Sequence, residues 1–243
     1  TYSDYDDYGN AWNQTITKKD SGGLTLDVKV ITNTYAQGTV DQHKGLVQTS
    51  TVVSKDDNGV IVESQVTAYS NYDNYGNACN QTVTRKDSGG VTLDIKTIVT
   101  TYTQGSVNQA RGFADSIATT TYMPDGTTFV SGQMVTYASY DNYGNAFNQT
   151  ITRKDSSGAT IDYKESVSVY SGINQHKSQA DSTDVTTYTA KDPATRLFIE
   201  RQTITYSNYD NYGNAWNQTI TRKDSGGLTL DVKVITNTYA QGT

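Results

Sequence analysis

Few residues of this chain have the chemistry to act on a substrate or hold a cofactor. There are 2 histidines and 1 cysteine in 243 residues. His43 and His176 occupy equivalent polar linkers, and the corresponding residue of the linker between them is Ala110. A catalytic base absent from one copy of three is one reading, but an exposed linker histidine is the plainer one, and both are expected to be solvated. Cys79 stands in the slot held elsewhere by Trp12, Phe147 and Trp216. That company marks an apolar packing position and not a nucleophile. A single cysteine also leaves no intrachain disulfide and no cysteine-based metal site. Asp4, Asp6 and Asp7 with Asn10 bring oxygen ligands together as calcium loops do. Yet Asp4 and Asp7 become Asn71 and Asn74 one copy later, and the spacing of an EF-hand is absent, so turn capping is the expected role. Asn13, Asn80, Asn148 and Asn217 each open an Asn-Gln-Thr sequence. That is a glycan acceptor in a eukaryotic secreted chain and a plain polar strand face in a bacterial one. No acid/base pair of carboxylates stands out and no glycine-rich phosphate loop leads into a helix. The expectation is a protein with no catalysis, no cofactor and no metal.

The elements that position these residues repeat. Tyr5, Asp6, Tyr8, Gly9 and Asn10 return as Tyr72, Asp73, Tyr75, Gly76 and Asn77. They return again as Tyr140, Asp141, Tyr143, Gly144 and Asn145, and as Tyr209, Asp210, Tyr212, Gly213 and Asn214. The period is 67, 68 and 69 residues in turn. A third tyrosine precedes each motif, so 12 of the 19 tyrosines lie in triplets such as Tyr69, Tyr72 and Tyr75. Residues 1–39 and 205–243 differ only at Asp4/Asn208, Asp7/Asn211 and Lys18/Arg222. We read residues 1–39 as a partial repeat, and 40–106, 107–174 and 175–243 as repeat units, the whole being a window on a longer array or a chain whose like ends meet head to tail.

Composition agrees with a thin, strand-rich protein. Val, Ile, Leu and Phe make up about 18% of the chain, too little for a deep aliphatic core. Thr alone is about 16%, which with Tyr and Val favours strands. A net charge of -6 and a pI near 4.8 argue against nucleic acid as a partner. No apolar run approaches the roughly 18 residues of a membrane-spanning helix.

Each unit reads as four strands in two hairpins. The first is expected over about 11–18, with Trp12 and Ile16 on a buried face. The second runs over 24–35, with Leu24, Leu26, Val28 and Val30 on one apolar face and a slip at Val30-Ile31 that marks a bulge. Lys19-Asp20-Ser21-Gly22-Gly23 turns between them. After a polar linker over 36–45 come strands at about 46–54 and 60–69, joined by Asp56-Asp57-Asn58-Gly59, whose Asn-Gly pair is a strong hairpin signal. No segment has a helical period. The fold class expected is all-β: tandem antiparallel hairpins in a continuous curled sheet, a hollow spiral or tube.

In the Tyr-Asp motif, glycine and asparagine tolerate left-handed backbone, and the aspartate can accept from turn N–H groups. The tyrosines, stacked once per unit, would form a ladder. With Tyr72-Asp73-x-x-Gly76-Asn77, the Thr-rich strand after it, Asp87-Ser88-Gly89-Gly90 and its tandem recurrence, the chain resembles the YD-repeat, or RHS-repeat, family. The resemblance implies β-hairpins wound into a hollow shell, as in bacterial toxin shells and animal cell-surface adhesion proteins. It covers the first hairpin of every unit well and the second poorly, where the Tyr-Asp pair is missing.

The expected role is structural: an extracellular or cell-surface filament, tube or shell wall that assembles through neighbouring repeats of the same or identical chains. One alternative is an adhesin whose tyrosine-rich turns bind glycans or proteins. The other is a toxin-encapsulating shell of the RHS type.

Overall fold

Short alternating segments of Thr, Val and Ile, closed at both ends by aspartate–glycine turns, leave the backbone little choice but to pair with its sequence neighbour. The structure, a computed structural model, describes residues 1–210 and 213–239. It holds one sheet of fifteen antiparallel strands whose order is the chain order. The strands are β1 (Tyr2–Tyr5), β2 (Ala11–Lys19), β3 (Thr25–Tyr35), β4 (Val47–Lys55), β5 (Ile61–Tyr72), β6 (Ala78–Asp87), β7 (Thr92–Thr101) and β8 (Ser116–Tyr122). They continue as β9 (Phe129–Tyr140), β10 (Ala146–Lys154), β11 (Thr160–Val169), β12 (Ser182–Tyr188), β13 (Phe198–Tyr209), β14 (Ala215–Lys223) and β15 (Thr229–Thr236). The all-β, hairpin-repeat class expected from the sequence is the one found.

The linkers depart from expectation. Each contains a one-turn helix: α1 (Val40–His43), α2 (Val107–Ala110) and α3 (Gly172–His176). Four or five residues cannot show a 3.6-residue period. What starts the first two is a hydroxyl cap, Thr39 accepting from the N–H of Gln42 and Ser106 from that of Gln109.

Contacts divide the chain into two compact units, residues 1–101 with 118–131, and 102–117 with 132 onward. In the first, β2 to β7 pair as antiparallel neighbours, with register shifts at Lys18/Lys19, Thr34/Tyr35, Ser54/Lys55 and Arg85/Lys86. The expected bulge at Val30-Ile31 is not there: Val30 pairs Val53 and Ile31 pairs Val52, with the register shift at Thr34/Tyr35 instead. Consecutive apolar residues here serve the two faces of one sheet. The turns at Asp20, Asp56 and Asp87 share one geometry, in which the aspartate N–H donates to the carbonyl four residues on and the glycine N–H donates back to the aspartate carbonyl. So Asn58-Gly59 does not close a two-residue loop, and only Gly59 of the pair is left-handed (φ 81°). In the second unit β9 to β15 pair in the same way, and Asp155 and Asp224 make the same turns.

Burial is shallow, as the composition requires. Among the described residues no large side chain is fully buried; the few buried apolar ones are Tyr35, Ala114, Ala146, Tyr163 and Ala215. Trp12 is 37% exposed, against the expectation that it would be internal, and Ile16, Leu24 and Leu26 are exposed as well. A sheet without a second layer leaves its apolar stripe bare wherever no linker lies over it. Polar cross-strand pairs supply much of the contact instead. Arg85 pairs Asp94 in the first unit, and Arg153 pairs Asp162 in the second.

Candidate functional site: the Tyr-Asp turns and their linkers

The Tyr-Asp turn begins as the same aspartate–glycine turn found at the other ends of the hairpins. Asp6 Oδ1 accepts from the N–H of Tyr8 at 3.0 Å and of Asn10 at 2.8 Å. Asp73 and Asp141 repeat both bonds at 2.8–2.9 Å. Asp210 accepts from the N–H of Asn214 at 2.9 Å, while Tyr212 lies outside the described residues. Gly9, Gly76, Gly144 and Gly213 take the left-handed conformation that closes each turn.

The asparagine after the glycine adds something new. The side chains of Asn10 and Asn145 span from the turn to the following linker. Asn10 Nδ2 donates to Asp6 Oδ2 at 2.9 Å and to the Gln42 carbonyl at 2.7 Å. Gln42 answers with its own amide, donating to Asp6 Oδ2 at 3.0 Å and accepting from Gly38 N–H at 2.7 Å. In the second unit Asn145 donates to Asp141 and to the Gln175 carbonyl, and Gln175 donates to Asp141 at 2.8 Å. Gln109, only 2% exposed, likewise accepts from Gly105 N–H at 2.7 Å. Burial is the largest influence on Asp6 and Asp141 and would raise their pKa. The donors from the asparagine, the glutamine and the turn backbone outweigh it and hold both at about 2.

The tyrosine before the aspartate grips the preceding linker. Tyr72 donates its hydroxyl to the Val47 carbonyl at 2.5 Å, Tyr140 to Ala114 at 2.7 Å and Tyr209 to Ala180 at 2.6 Å. Burial, helped by nearby phenols and carboxylates, pushes these three hydroxyls up to about 12. Beside them the linker lies on the turn glycine. A Cβ on Gly144 would stand 2.5 Å from Phe113 Cζ, one on Gly213 would stand 3.0 Å from Gln179, and one on Gly76 would stand 3.2 Å from Leu46. Only glycine satisfies both the backbone and this approach.

The first and third linkers are therefore held from two sides, by Asp and Asn of the turn before and by Tyr and Gly of the turn after. Two residue sets that complete the joint do not stand out in the sequence. One is Gln42, Gln109 and Gln175; the other is Tyr35 and Tyr239, whose hydroxyls donate to the carbonyls of Ala11 and Ala215 at 3.1 and 3.2 Å. A signal for the first exists all the same: Gln37-Gly38-Thr39-Val40-Asp41-Gln42 returns as Gln104-Gly105-Ser106-Val107-Asn108-Gln109.

Other expected features move. Among the described residues the one stacked pair within a tyrosine triplet is Tyr137 with Tyr140 (ring centroids 6.3 Å); Tyr8 lies against His43 (4.1 Å), Tyr143 against His176 (4.3 Å) and Tyr140 against Phe113 (5.2 Å). The linker histidines are exposed as expected, but each covers a turn tyrosine. In the packing slot, Phe147 and Trp216 meet Tyr170 and Tyr239 edge-on. Cys79 is half-buried, and burial with Asp73 nearby raises its thiol pKa, which keeps it protonated. Among the described residues no group of three or more His, Cys, Asp or Glu is placed to hold a metal. Two shallow grooves recur at one position of the repeat. One, of about 340 Å³, is lined by Asn33, Ser50, Tyr69 and Tyr72, and the other, of about 390 Å³, by Tyr206, Tyr209 and Gln218.

No family model and no curated protein matches the chain. Among solved structures it is similar to a porin-like protein from Bacteroides vulgatus, at 8% identity over 96% of this chain and 91% of that one, with a TM-score of 0.36. A porin-like protein from Bacteroides uniformis gives 15%, 93%, 91% and 0.32. The TcdB2-TccC3-TEV structure gives 12% identity over 94% of this chain but 16% of that chain, at 0.20. Likeness at this level carries no argument about function, membrane or family, and the Tyr-Asp resemblance stands on its motif alone.

Proposed function

We propose that this chain is a structural array: tandem hairpins that build the wall of an extracellular filament, tube or shell, without catalysis. The observation that supports it is the joint itself. Side chains of the recurring motif fasten Tyr-Asp turns to neighbouring linkers, and at the Asp141 turn to the linkers on both sides, so they are spent on coupling neighbours. Stability in such an object is a sum of unit terms and nearest-neighbour terms, and rises with the number of joints. Near-identical units give a near-constant step between neighbours, as an ordered filament requires. Two measurements test this. The midpoint of unfolding should rise through chains of one, two and three repeats, and electron microscopy should show ordered assemblies. Repeat-independent stability together with isolated particles would reject it.

The second reading is an adhesin. The recurring grooves beside Tyr69 and Tyr72, and beside Tyr206 and Tyr209, favour it, because tyrosine faces rimmed by amides suit a flat polar ligand such as a sugar ring. A glycan array with no bound sugar would remove it.

A further inference from the structure

Residue 46 of the first linker and its equivalent in the second make different use of the same turn. Gly45-Leu46-Val47 returns as Gly112-Phe113-Ala114. Both side chains lie over the glycine of the turn that follows, Leu46 on Gly76 and Phe113 on Gly144. Beside Leu46 a groove of about 340 Å³ opens between Tyr69, Tyr72, Ser50 and Asn33. Phe113 reaches further: its ring is stacked on Tyr140, the equivalent of Tyr72, with centroids 5.2 Å apart. The second copy thus seats a six-membered ring of its own against the tyrosine that, in the first copy, lines an open groove. A second groove, of about 380 Å³, adjoins the first across Leu46, Tyr69 and Tyr72 and adds Asp41, Gln48 and Ser70 to the walls. Neither depends on an edge of the sheet, because β5, which carries both tyrosines, is paired with β4 on one side and β6 on the other. The Tyr72 ring is fixed by its hydroxyl bond to the Val47 carbonyl. Around it, the Tyr69 and Ser50 hydroxyls and the Gln48 amide make no side-chain hydrogen bond among the described residues.

We propose that the two grooves at Tyr69 and Tyr72 are adjoining subsites for a neutral oligosaccharide of flat, equatorially substituted pyranoses, and that residue 46 decides whether a copy of the repeat binds. Such a ring presents an unbroken face of C–H groups to a phenol, and its hydroxyls take up the free hydroxyls and amide of the rim. A β-linked pair lays two such rings side by side, as two adjoining grooves require. Asp41 in the wall and a net charge of -6 disfavour an anionic sugar. The proposal rests on the adhesin reading, and goes beyond it in naming the sugar and the residue that admits it.

The test titrates cellotetraose, a neutral β-linked glucose oligomer, into the full 243-residue chain and follows backbone amide shifts by NMR. Saturable shifts are expected at Ser50 and Tyr69. L46F gives the first linker the residue that the second already carries, so the fold should hold while affinity at this site falls about tenfold. Y69F keeps the ring, removes the free hydroxyl and should weaken binding about fivefold. F113L should add shifts at Tyr137 and Tyr140, which the sugar leaves unmoved in the parent chain. No binding, binding unchanged by L46F or by Y69F, or no new shifts in F113L each overturns the proposal. So does displacement of the sugar by a lower concentration of N-acetyl-phenylalaninamide, which would mark a pocket for aromatic side chains. Sugars that bind on a glycan array without moving Ser50 or Tyr69 would overturn it and leave the adhesin reading standing, whereas an array with no bound sugar would remove both.

Discussion

The two ends of each hairpin start from one turn and finish as different devices. At both ends an aspartate carboxylate accepts from the N–H groups two and four residues on, and a left-handed glycine closes the loop: Asp6 and Gly9 at one end, Asp20 and Gly23 at the other. The residue after the glycine separates them. Asn10 carries a side chain that reaches Gln42, whereas Leu24 is exposed. The residue before the aspartate separates them again, since Tyr72 and Tyr140 bond a linker and Lys19 and Lys154 are exposed. A turn that only reverses the chain needs one aspartate and one glycine. A turn that also joins repeats needs a tyrosine before and an asparagine after. The plain turn at Asp56 drifts to Met123-Pro124-Asp125-Gly126 and Asp192-Pro193-Ala194, whereas the plain turn at Asp20 returns at Asp87, Asp155 and Asp224 and the Tyr-Asp turn keeps its text throughout.

The largest contrast is expected between two glycines. G144A meets both a positive φ of 92° and Phe113 at 2.5 Å, and should cost about 3 kcal/mol by denaturant unfolding. G158A has a similar φ of 83° and open space, and should cost about 1 kcal/mol. Equal costs would mean that the linker does not bear on the turn. Next, Q42A strips a donor from Asp6 and an acceptor from Gly38 N–H, with an expected loss of about 2 kcal/mol. Y140F removes a single hydroxyl bond to Ala114, about 1 kcal/mol, while Y143F, on an exposed ring, should be close to neutral.

Titration gives the smallest and most selective contrast. Acid does not separate the two ends, because Asp125 of a plain turn is held at about 2 as Asp6 and Asp141 are. All three stabilise the fold above the ordinary 3.8, and that stability drains as pH falls toward 2. Alkali does separate them. Tyr72, Tyr140 and Tyr209 sit at about 12 against an ordinary 10.0, so their contribution is whole below pH 10 and is lost as pH rises through 12. Y140F should shrink that limb in a pH series of unfolding midpoints.

The hairpins are legible in the sequence because strands alternate and the turns are marked by aspartate and glycine, or at Asp192-Pro193-Ala194 by aspartate and proline. The joint is half legible. Tyr72, Asp73, Gly76 and Asn77 stand out by recurrence, but their partners do not. Gln42 is a polar residue in a polar linker, and its burial depends on a helix of four residues, too short for any periodic signal. Trp12 and Ile16 mislead for a related reason. Alternation says which residues share a face, whereas which face is covered is decided by chain far away, and here nothing covers them fully.

The central claim is that successive repeats are coupled through the turn–linker joint. A double-mutant cycle between Asp141→Asn and Gln175→Ala tests it most directly, since the two side chains meet at 2.8 Å across 34 residues. The account predicts a coupling energy of about 1 kcal/mol or more in unfolding free energy. Additive losses, within about 0.3 kcal/mol, would contradict it.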